Sequence, residues 1–150
     1  MKKIVLFIGM LFVLSGYEHP DKLATWVVMQ GSSLTVNGIT NVNTFQCEIT
    51  NYSSPDTLTC AMALPKGIAL PMNGKLNLNI EAFDCHNRMM TNDLRKTLKA
   101  KIFPILSVRF ISINGFPDLK NPGTITGVVD IGLAGVTRRF DINYLFTMDK

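Results

Sequence analysis

Apolar and polar residues alternate along most of this 150-residue chain, and one segment replaces the alternation with a four-residue spacing. That segment runs from residue 83 to residue 100 and is closed by Pro104. A four-residue spacing places apolar side chains on one face of a helix, whereas period-two alternation is typical of half-buried strands. The chain is therefore predicted to be all-β with one helix that lies against an antiparallel sheet.

The predicted helix has one apolar and one basic side. Thr91 is expected as its N-cap, and Asp93 places a negative charge in the first turn. Its basic side carries Arg95, Lys96 and Lys99, and its last turn is expected to carry Lys99 and Lys101. The apolar residues, expected to be buried against the sheet, are Met90, Leu94, Leu98 and Ile102.

The alternating segments predict about eight strands. They are Trp26–Gln30, Ser33–Asn37, Phe45–Thr50, Thr57–Leu64, Leu76–Glu81, Leu106–Ile111, Ile125–Leu133 and Phe140–Phe146. Eight antiparallel strands match a β-barrel that either fills its interior with side chains or holds one small ligand. Periodicity alone does not separate such a barrel from a sandwich.

Residues 1–17 have the layout of a secretory signal peptide, with two lysines, an apolar run from Ile4 to Leu14 and small residues after it. The run is too short for a comfortable membrane span. We expect cleavage between Gly16 and Asp21, one β-barrel domain over residues 22–150, and no stable membrane span in the mature chain. Export would place the protein in the periplasm or outside the cell.

The charge of the chain argues against nucleic-acid binding. Its formal charge is +4, from 15 basic and 11 acidic residues. Removing Lys2 and Lys3 with the leader leaves 13 basic against 11 acidic residues, a net of +2. The remaining cations form no run interleaved with aromatic residues, so no nucleic-acid partner is expected.

Three cysteines in an exported chain predict one disulfide and one spare thiol. Cys47 and Cys60 flank a predicted turn at residues 51–56, and a regular hairpin would place them opposite each other. Cys85 lies where the helix begins, and its bridge to Cys47 would close a longer loop. Chain entropy predicts a stabilisation of roughly 4 kcal/mol for the longer loop and roughly 3 kcal/mol for the shorter one. The difference is too small to decide, so both pairings remain open.

Asp84, Cys85 and His86 place a potential nucleophile beside a potential base. Adjacent residues of an extended segment point to opposite sides, so Cys85 and His86 would not share a hydrogen bond. His19 completes no metal-binding pattern with Asp84 and His86. We therefore expect no catalysis, no cofactor and no metal site.

Three parts of the sequence resemble the YceI-like family. Residues 127–140 resemble its last hairpin, and the helix followed by Pro104, Leu106 and Val108 resembles its second signature. Residues 38–47 and the Phe83 to Cys85 segment resemble an exported branch. The resemblance covers residues 25–148. The chain departs from the family at Val108, where an aromatic often stands, and at Ile39, where a small polar residue is more usual.

This resemblance implies a lipocalin-like eight-stranded antiparallel β-barrel, periplasmic or secreted, with an apolar tunnel that holds a polyisoprenoid chain in some members. It implies no catalysis. In the exported branch the two cysteines of these motifs occur together, which favours a Cys47–Cys85 disulfide over Cys47–Cys60.

The inward-facing apolar residues would line the tunnel if a ligand binds and form an ordinary core if none does. They are Phe45, Met62, Leu78, Ile80, Leu94, Val108, Phe110, Gly127, Val129, Phe140, Ile142, Tyr144 and Phe146. Arg88, Arg95 and Arg109 are the candidates for binding a charged head group. Gly127 is of particular interest, because an inward glycine in a strand usually marks close approach by another group.

Two functions follow from this interpretation. The first is non-catalytic binding of an apolar lipid, namely a polyisoprenoid, a quinone or an acyl chain. The alternative is a structural or interaction barrel with a packed core and no ligand. Besides the lipid, a second copy of the chain in a homodimer is the other partner considered.

Overall fold

The computed structural model describes residues 22–39, 44–52, 54–62, 67–118 and 120–147. The predicted signal peptide and its cleavage region lie outside these residues. The described part contains nine strands, one α-helix and a 3-10 turn at Ile80–Ala82. The helix α1 is Arg88–Thr97. The strands are β1 (Leu23–Val27), β2 (Ser32–Ile39), β3 (Thr44–Tyr52), β4 (Thr57–Ala61), β5 (Leu70–Asn73), β6 (Lys75–Asn79), β7 (Ile105–Ile113), β8 (Gly123–Leu133) and β9 (Val136–Phe146).

Seven strands form one antiparallel sheet in the order β1-β4-β5-β7-β8-β9, with β6 also paired to β7. β5 and β6 follow one another along the same edge of β7, where Leu70 lies opposite Ile113 and Leu78 opposite Leu106. Gly74 separates them with a φ of 152°, and a Cβ there would lie 2.4 Å from a methyl carbon of Leu58. Glycine at this point therefore allows the strand to bend close to β4.

The other two strands, β2 and β3, form a separate two-stranded sheet that continues the β1-β4 pair. Val27 of β1 lies opposite Thr57 of β4, and Ser32 of β2 lies opposite Tyr52 of β3. The break between β1 and β2 therefore lies beside the break between β3 and β4. The Tyr52 hydroxyl donates a hydrogen bond to the carboxylate of Asp56 across this interruption. The four strands thus form one long hairpin, with β1 and β4 in the seven-stranded sheet and β2 and β3 in the two-stranded sheet.

This arrangement overturns the expectation that Cys47 and Cys60 lie opposite each other. β3 ends at Tyr52 and β4 begins at Thr57, so the predicted turn separates two consecutive strands rather than forming a hairpin tip, and β3 meets β2 with Ile39 opposite Thr44. Cys60 lies opposite Ala24 of β1 and Met72 of β5. The cysteines that bond are Cys47 and Cys85, as the resemblance implied, and Cys60 is a buried free thiol.

The helix is where the spacing predicted it, but it begins earlier. Its N-cap is Asn87, whose side-chain oxygen accepts hydrogen bonds from the backbone N–H groups of Met89 (2.9 Å) and Met90 (3.2 Å). The prediction of Thr91 as N-cap is wrong: this residue is buried one turn into the helix. Ile102 was also misplaced, because the helix ends before it and its side chain is 70% exposed.

Two groups of apolar side chains form the core. The first lies beside the helix, and Met90, Leu94 and Leu98 pack against it as predicted. Its buried members are Cys47, Ile49, Tyr52, Leu78, Ile80, Phe83, Cys85, Ala100 and Leu106. The second lies toward β4 and β5, and its buried members are Leu58, Cys60, Leu70, Met72 and Ile113.

The last hairpin is the most regular part of the sheet. β8 and β9 pair without interruption from Gly123 opposite Phe146 to Leu133 opposite Val136. Ala134 and Gly135 form the turn, both with positive φ, of 51° and 82°. Positive φ at both central residues is the pattern of a type I′ turn, whose twist matches that of the paired strands.

The β-rich class, the single α-helix and the antiparallel sheet agree with the sequence prediction. Within the described residues no strand pairing closes the sheet into a barrel, and β1 and β9 are the outermost strands of its order. No helix among these residues has the length and apolar character needed to cross a bilayer.

Candidate functional site

The face of the sheet that contacts the core carries an apolar row across three strands. Phe110 of β7, Val129 of β8 and Phe140 of β9 lie directly opposite one another, so their side chains share this face. Val129 is 1% exposed, whereas Phe140 is 44% exposed. Because β9 is the last strand of the sheet, the row ends in an aromatic side chain that solvent still reaches.

Further along the same face, the ring of Tyr144 packs over Gly127. A Cβ on Gly127 would lie 2.6 Å from a Tyr144 ring carbon and 2.6 Å from the backbone oxygen of Ser112. Gly127 therefore does mark a close approach, and the approaching groups belong to the protein itself. Phe110 stacks with the Tyr144 ring, with centroids 6.3 Å apart.

The Tyr144 hydroxyl is buried and has no hydrogen-bond partner within the described structure. Burial raises the pKa of Tyr144 to about 12, so the group is a neutral donor at physiological pH. A buried hydroxyl without a partner costs about 1–3 kcal/mol, and a carbonyl or hydroxyl oxygen placed beside it would recover part of that cost.

The predicted wall residues divide between the two parts of the core. Phe45, Leu78, Ile80, Leu94 and Val108 belong to the first part. Phe110 and Tyr144 belong to the second. Ile142 and Phe146 are half-buried on β9, and Met62 is 45% exposed just beyond β4. The thirteen residues therefore do not line one continuous surface: several are core side chains, and β9 carries the accessible part.

The three arginines proposed for a head group occupy three different settings. Arg88 is exposed in the first turn of α1 and lines a surface cavity of about 650 Å³. Arg95 donates to the backbone oxygens of Glu81 and Phe83 and so ties the helix to the segment before it. Arg109 lies on the sheet face opposite the core, because its neighbours Val108 and Phe110 point inward. The structure does not bring the three together.

Arg109 belongs to a charged row that the sequence analysis missed. Arg109, Asp130 and Arg139 lie directly opposite one another on β7, β8 and β9. Asp130 accepts from Arg139 Nε at 2.7 Å and Nη2 at 3.0 Å, and from Arg109 Nη2 at 2.8 Å. The two hydrogen bonds from Arg139, and then the one from Arg109, hold the pKa of Asp130 well below its usual range. Strand register, which periodicity does not reveal, brings these residues together.

Replacing Asp130 with Asn is expected to destabilise the fold near neutral pH and to matter less in acid. Because the folded-state pKa is lowered, the ionised carboxylate contributes stability above its unfolded pKa of about 3.9 and loses that contribution as the pH falls through the folded value. Urea titrations should show the stability difference between wild type and Asp130→Asn shrinking below about pH 4. Asp141→Asn, which removes an exposed carboxylate on the neighbouring strand β9, is the control. A wild-type to Asp130→Asn difference that stays constant in acid would contradict the assignment.

The helix begins at a junction that joins it to β3. Glu48 and Asp84 exchange backbone hydrogen bonds of 2.8 and 2.9 Å, next to the Cys47–Cys85 disulfide. His86, with a φ of 56°, turns its Nε2 to within 2.9 Å of the Glu48 carboxylate. With its sulfur in the disulfide, Cys85 has no thiol to act as a nucleophile. The junction therefore links β3 to the start of the helix both covalently and by hydrogen bonds. Its disulfide is typical of chains that fold outside a reducing compartment.

In comparisons of this chain with known proteins, no family model, no curated protein sequence and no solved structure gave a significant match. The YceI-like assignment, the lipid ligand and the homodimer therefore stay predictions.

Proposed function

We propose that this chain is a non-catalytic binding protein for an apolar lipid, namely a polyisoprenoid, a quinone or an acyl chain, acting in the periplasm or outside the cell. The single observation that carries the proposal is the accessible apolar row on the core-facing side of β9. Phe140 lies there, 44% exposed, at the end of a row in which Phe110 is half-buried and Val129 is buried. An apolar chain placed along β9 would remove this ring from water and gain its hydrophobic free energy.

The unpartnered hydroxyl of Tyr144 supports a ligand with one polar end. It lies on the same face of the same strand, four residues from Phe140. Ligand sites of this kind are mostly apolar with a small number of polar groups that fix orientation. A quinone carbonyl or a terminal hydroxyl has the acceptor that the Tyr144 donor lacks.

The proposal includes the YceI-like family and its lipocalin-like barrel. The antiparallel pairing of the seven-stranded sheet and the one helix among the described residues support it. In the proposed closed form, the β2-β3 sheet would approach β9 and cover the ligand. The disulfide supports export, since such bonds persist in oxidising compartments.

A second candidate, a structural barrel with a packed core, is favoured by a different observation. The space beside Gly127 is filled by the Tyr144 ring and the Ser112 backbone rather than left open. This candidate predicts that no lipid accompanies the protein, and so one experiment separates the two.

The test is the organic extract of full-length protein exported by its host, analysed by mass spectrometry. We expect a stoichiometric apolar lipid in the wild type and an at least tenfold smaller amount in Phe140→Glu, because a buried carboxylate would oppose the apolar chain. The matched control is Leu145→Glu, on the opposite face of β9 and 80% exposed, which should retain the lipid. Thermal melting checks that each variant is folded. Wild-type protein without lipid, or equal lipid in folded Phe140→Glu, would refute the proposal.

A further inference from the structure

Apolar side chains project into solvent where the loop after α1 and the β8-β9 turn meet. Ile102 is 70% exposed, Val136 56%, Ile105 43% and Phe103 36%. The four residues line one open cavity of about 370 Å³, and we call them the apolar tip. The Phe103 ring lies 2.7 Å from the Cβ position of Gly135, so the loop after the helix and the β8-β9 turn form one surface.

Three lysines border this tip. Lys75 lines the same cavity, and Lys99 and Lys101 line a neighbouring cavity of about 510 Å³ that Ile102 also lines. All three are exposed, and none forms an ion pair with another residue in the described part of the chain. We call them the basic rim.

The nearby acidic residues do not neutralise the basic rim. Glu81 pairs with Arg95 at 3.3 Å, and Asp93 lies 3.9 Å from Lys96. Both carboxylates therefore have cationic partners on the helix itself. The positive charge of the rim is left without a counter-charge beside exposed apolar side chains.

We propose that the apolar tip docks onto the surface of an anionic phospholipid bilayer, with Ile102 and Phe103 entering the headgroup boundary and the basic rim contacting lipid phosphates. Exposed apolar side chains bordered by lysines combine burial at the headgroup boundary with electrostatic attraction to anionic lipids. Charge complementarity selects this occupant. In a symmetric dimer through the same surface, the basic rim of one copy would face that of the other, and like charges would oppose association.

The inference does not depend on the proposed lipid site, because the tip lies on the loops at one end of the sheet and Phe140 lies on its core-facing side. It goes beyond carriage of a lipid, since it states where the protein meets a membrane. A protein without any bound lipid would still show it.

The test is co-sedimentation of the full chain with vesicles of phosphatidylcholine alone or mixed with phosphatidylglycerol. We expect binding to the mixed vesicles only, weakened by added salt. Ile102→Gln should lower the partition coefficient about tenfold. Neutralising Lys99 and Lys101 together with Lys→Gln changes should lower it by about fivefold for each lysine.

Leu145→Gln and Lys120→Gln are the matched controls. They remove an 80% exposed leucine and an exposed lysine near the opposite end of the sheet, and both should bind vesicles as the wild type does. Thermal melting confirms folding of every variant. Equal binding to both kinds of vesicle, or controls that weaken binding as much as Ile102→Gln, would overturn the proposal. Self-association or capture of an acidic protein through Ile102, without vesicle binding, would overturn it as well.

Discussion

Removal of the Cys47–Cys85 disulfide is expected to lower the free energy of unfolding by about 4 kcal/mol. The bond joins residues 38 positions apart, and opening it restores the chain entropy of a long loop to the unfolded state. It also releases the junction between β3 and the start of the helix, where both cysteines are buried in the first part of the core. Denaturant titration with and without a thiol reductant measures the loss.

The free cysteine provides the control for this prediction. Cys60 is fully buried, and burial raises the pKa of its thiol, so it is expected to be unreactive. A Cys60→Ala variant should keep the full effect of the reductant, whereas a Cys47→Ala/Cys85→Ala double variant should show none. Equal stability of the wild type in oxidising and reducing buffer would contradict the assigned role of the bond.

Substitution of Gly127 with Leu is expected to cost about 3 kcal/mol, and substitution with Ala about 1–3 kcal/mol. The reason is the Cβ itself, which would lie 2.6 Å from the backbone oxygen of Ser112, and a backbone atom cannot rotate away. The Tyr144 ring, equally close, can move. A double-mutant cycle should therefore show that Gly127→Ala costs only somewhat less in a Tyr144→Ala background than in the wild type.

Gly115 is a matched control for this substitution. Nothing lies within 4 Å of its Cβ position, and Gly115→Ala should change stability by no more than about 0.5 kcal/mol. Thermal and chemical denaturation compare the variants. A Gly127→Leu protein as stable as the wild type would show that this part of the core is open. It would then favour the interpretation that Gly127 lines a ligand tunnel.

The sequence predicted the elements better than their connections. A four-residue spacing is a property of one segment, so the helix and its buried residues Met90, Leu94 and Leu98 could be predicted. The cap could not, because Asn87 and Thr91 are both cap-forming residues and only the hydrogen bonds to Met89 and Met90 distinguish them. β5 was missed because Pro71 interrupts its pattern.

Features that depend on which strands become neighbours could not be predicted from the periodicity of the sequence. Asp130 meets Arg109 and Arg139 only because β7, β8 and β9 pair in one register. The partner of Cys47 depended on whether residues 51–56 were a hairpin tip or an interruption. Of the candidate site, the sequence placed Phe140 and Tyr144 on one face of β9 correctly, but it could not show which inward residues were already covered by the core.

The regularity of the β8-β9 hairpin determines the order in which the protein can assemble. Its residues are neighbours in sequence and its turn is preorganised, so it can form within microseconds of the chain becoming free. Formation of the Cys47–Cys85 bond requires an oxidant and takes seconds or longer. Phe140 and Tyr144 can therefore become aligned on β9 before the disulfide joins β3 to the start of the helix.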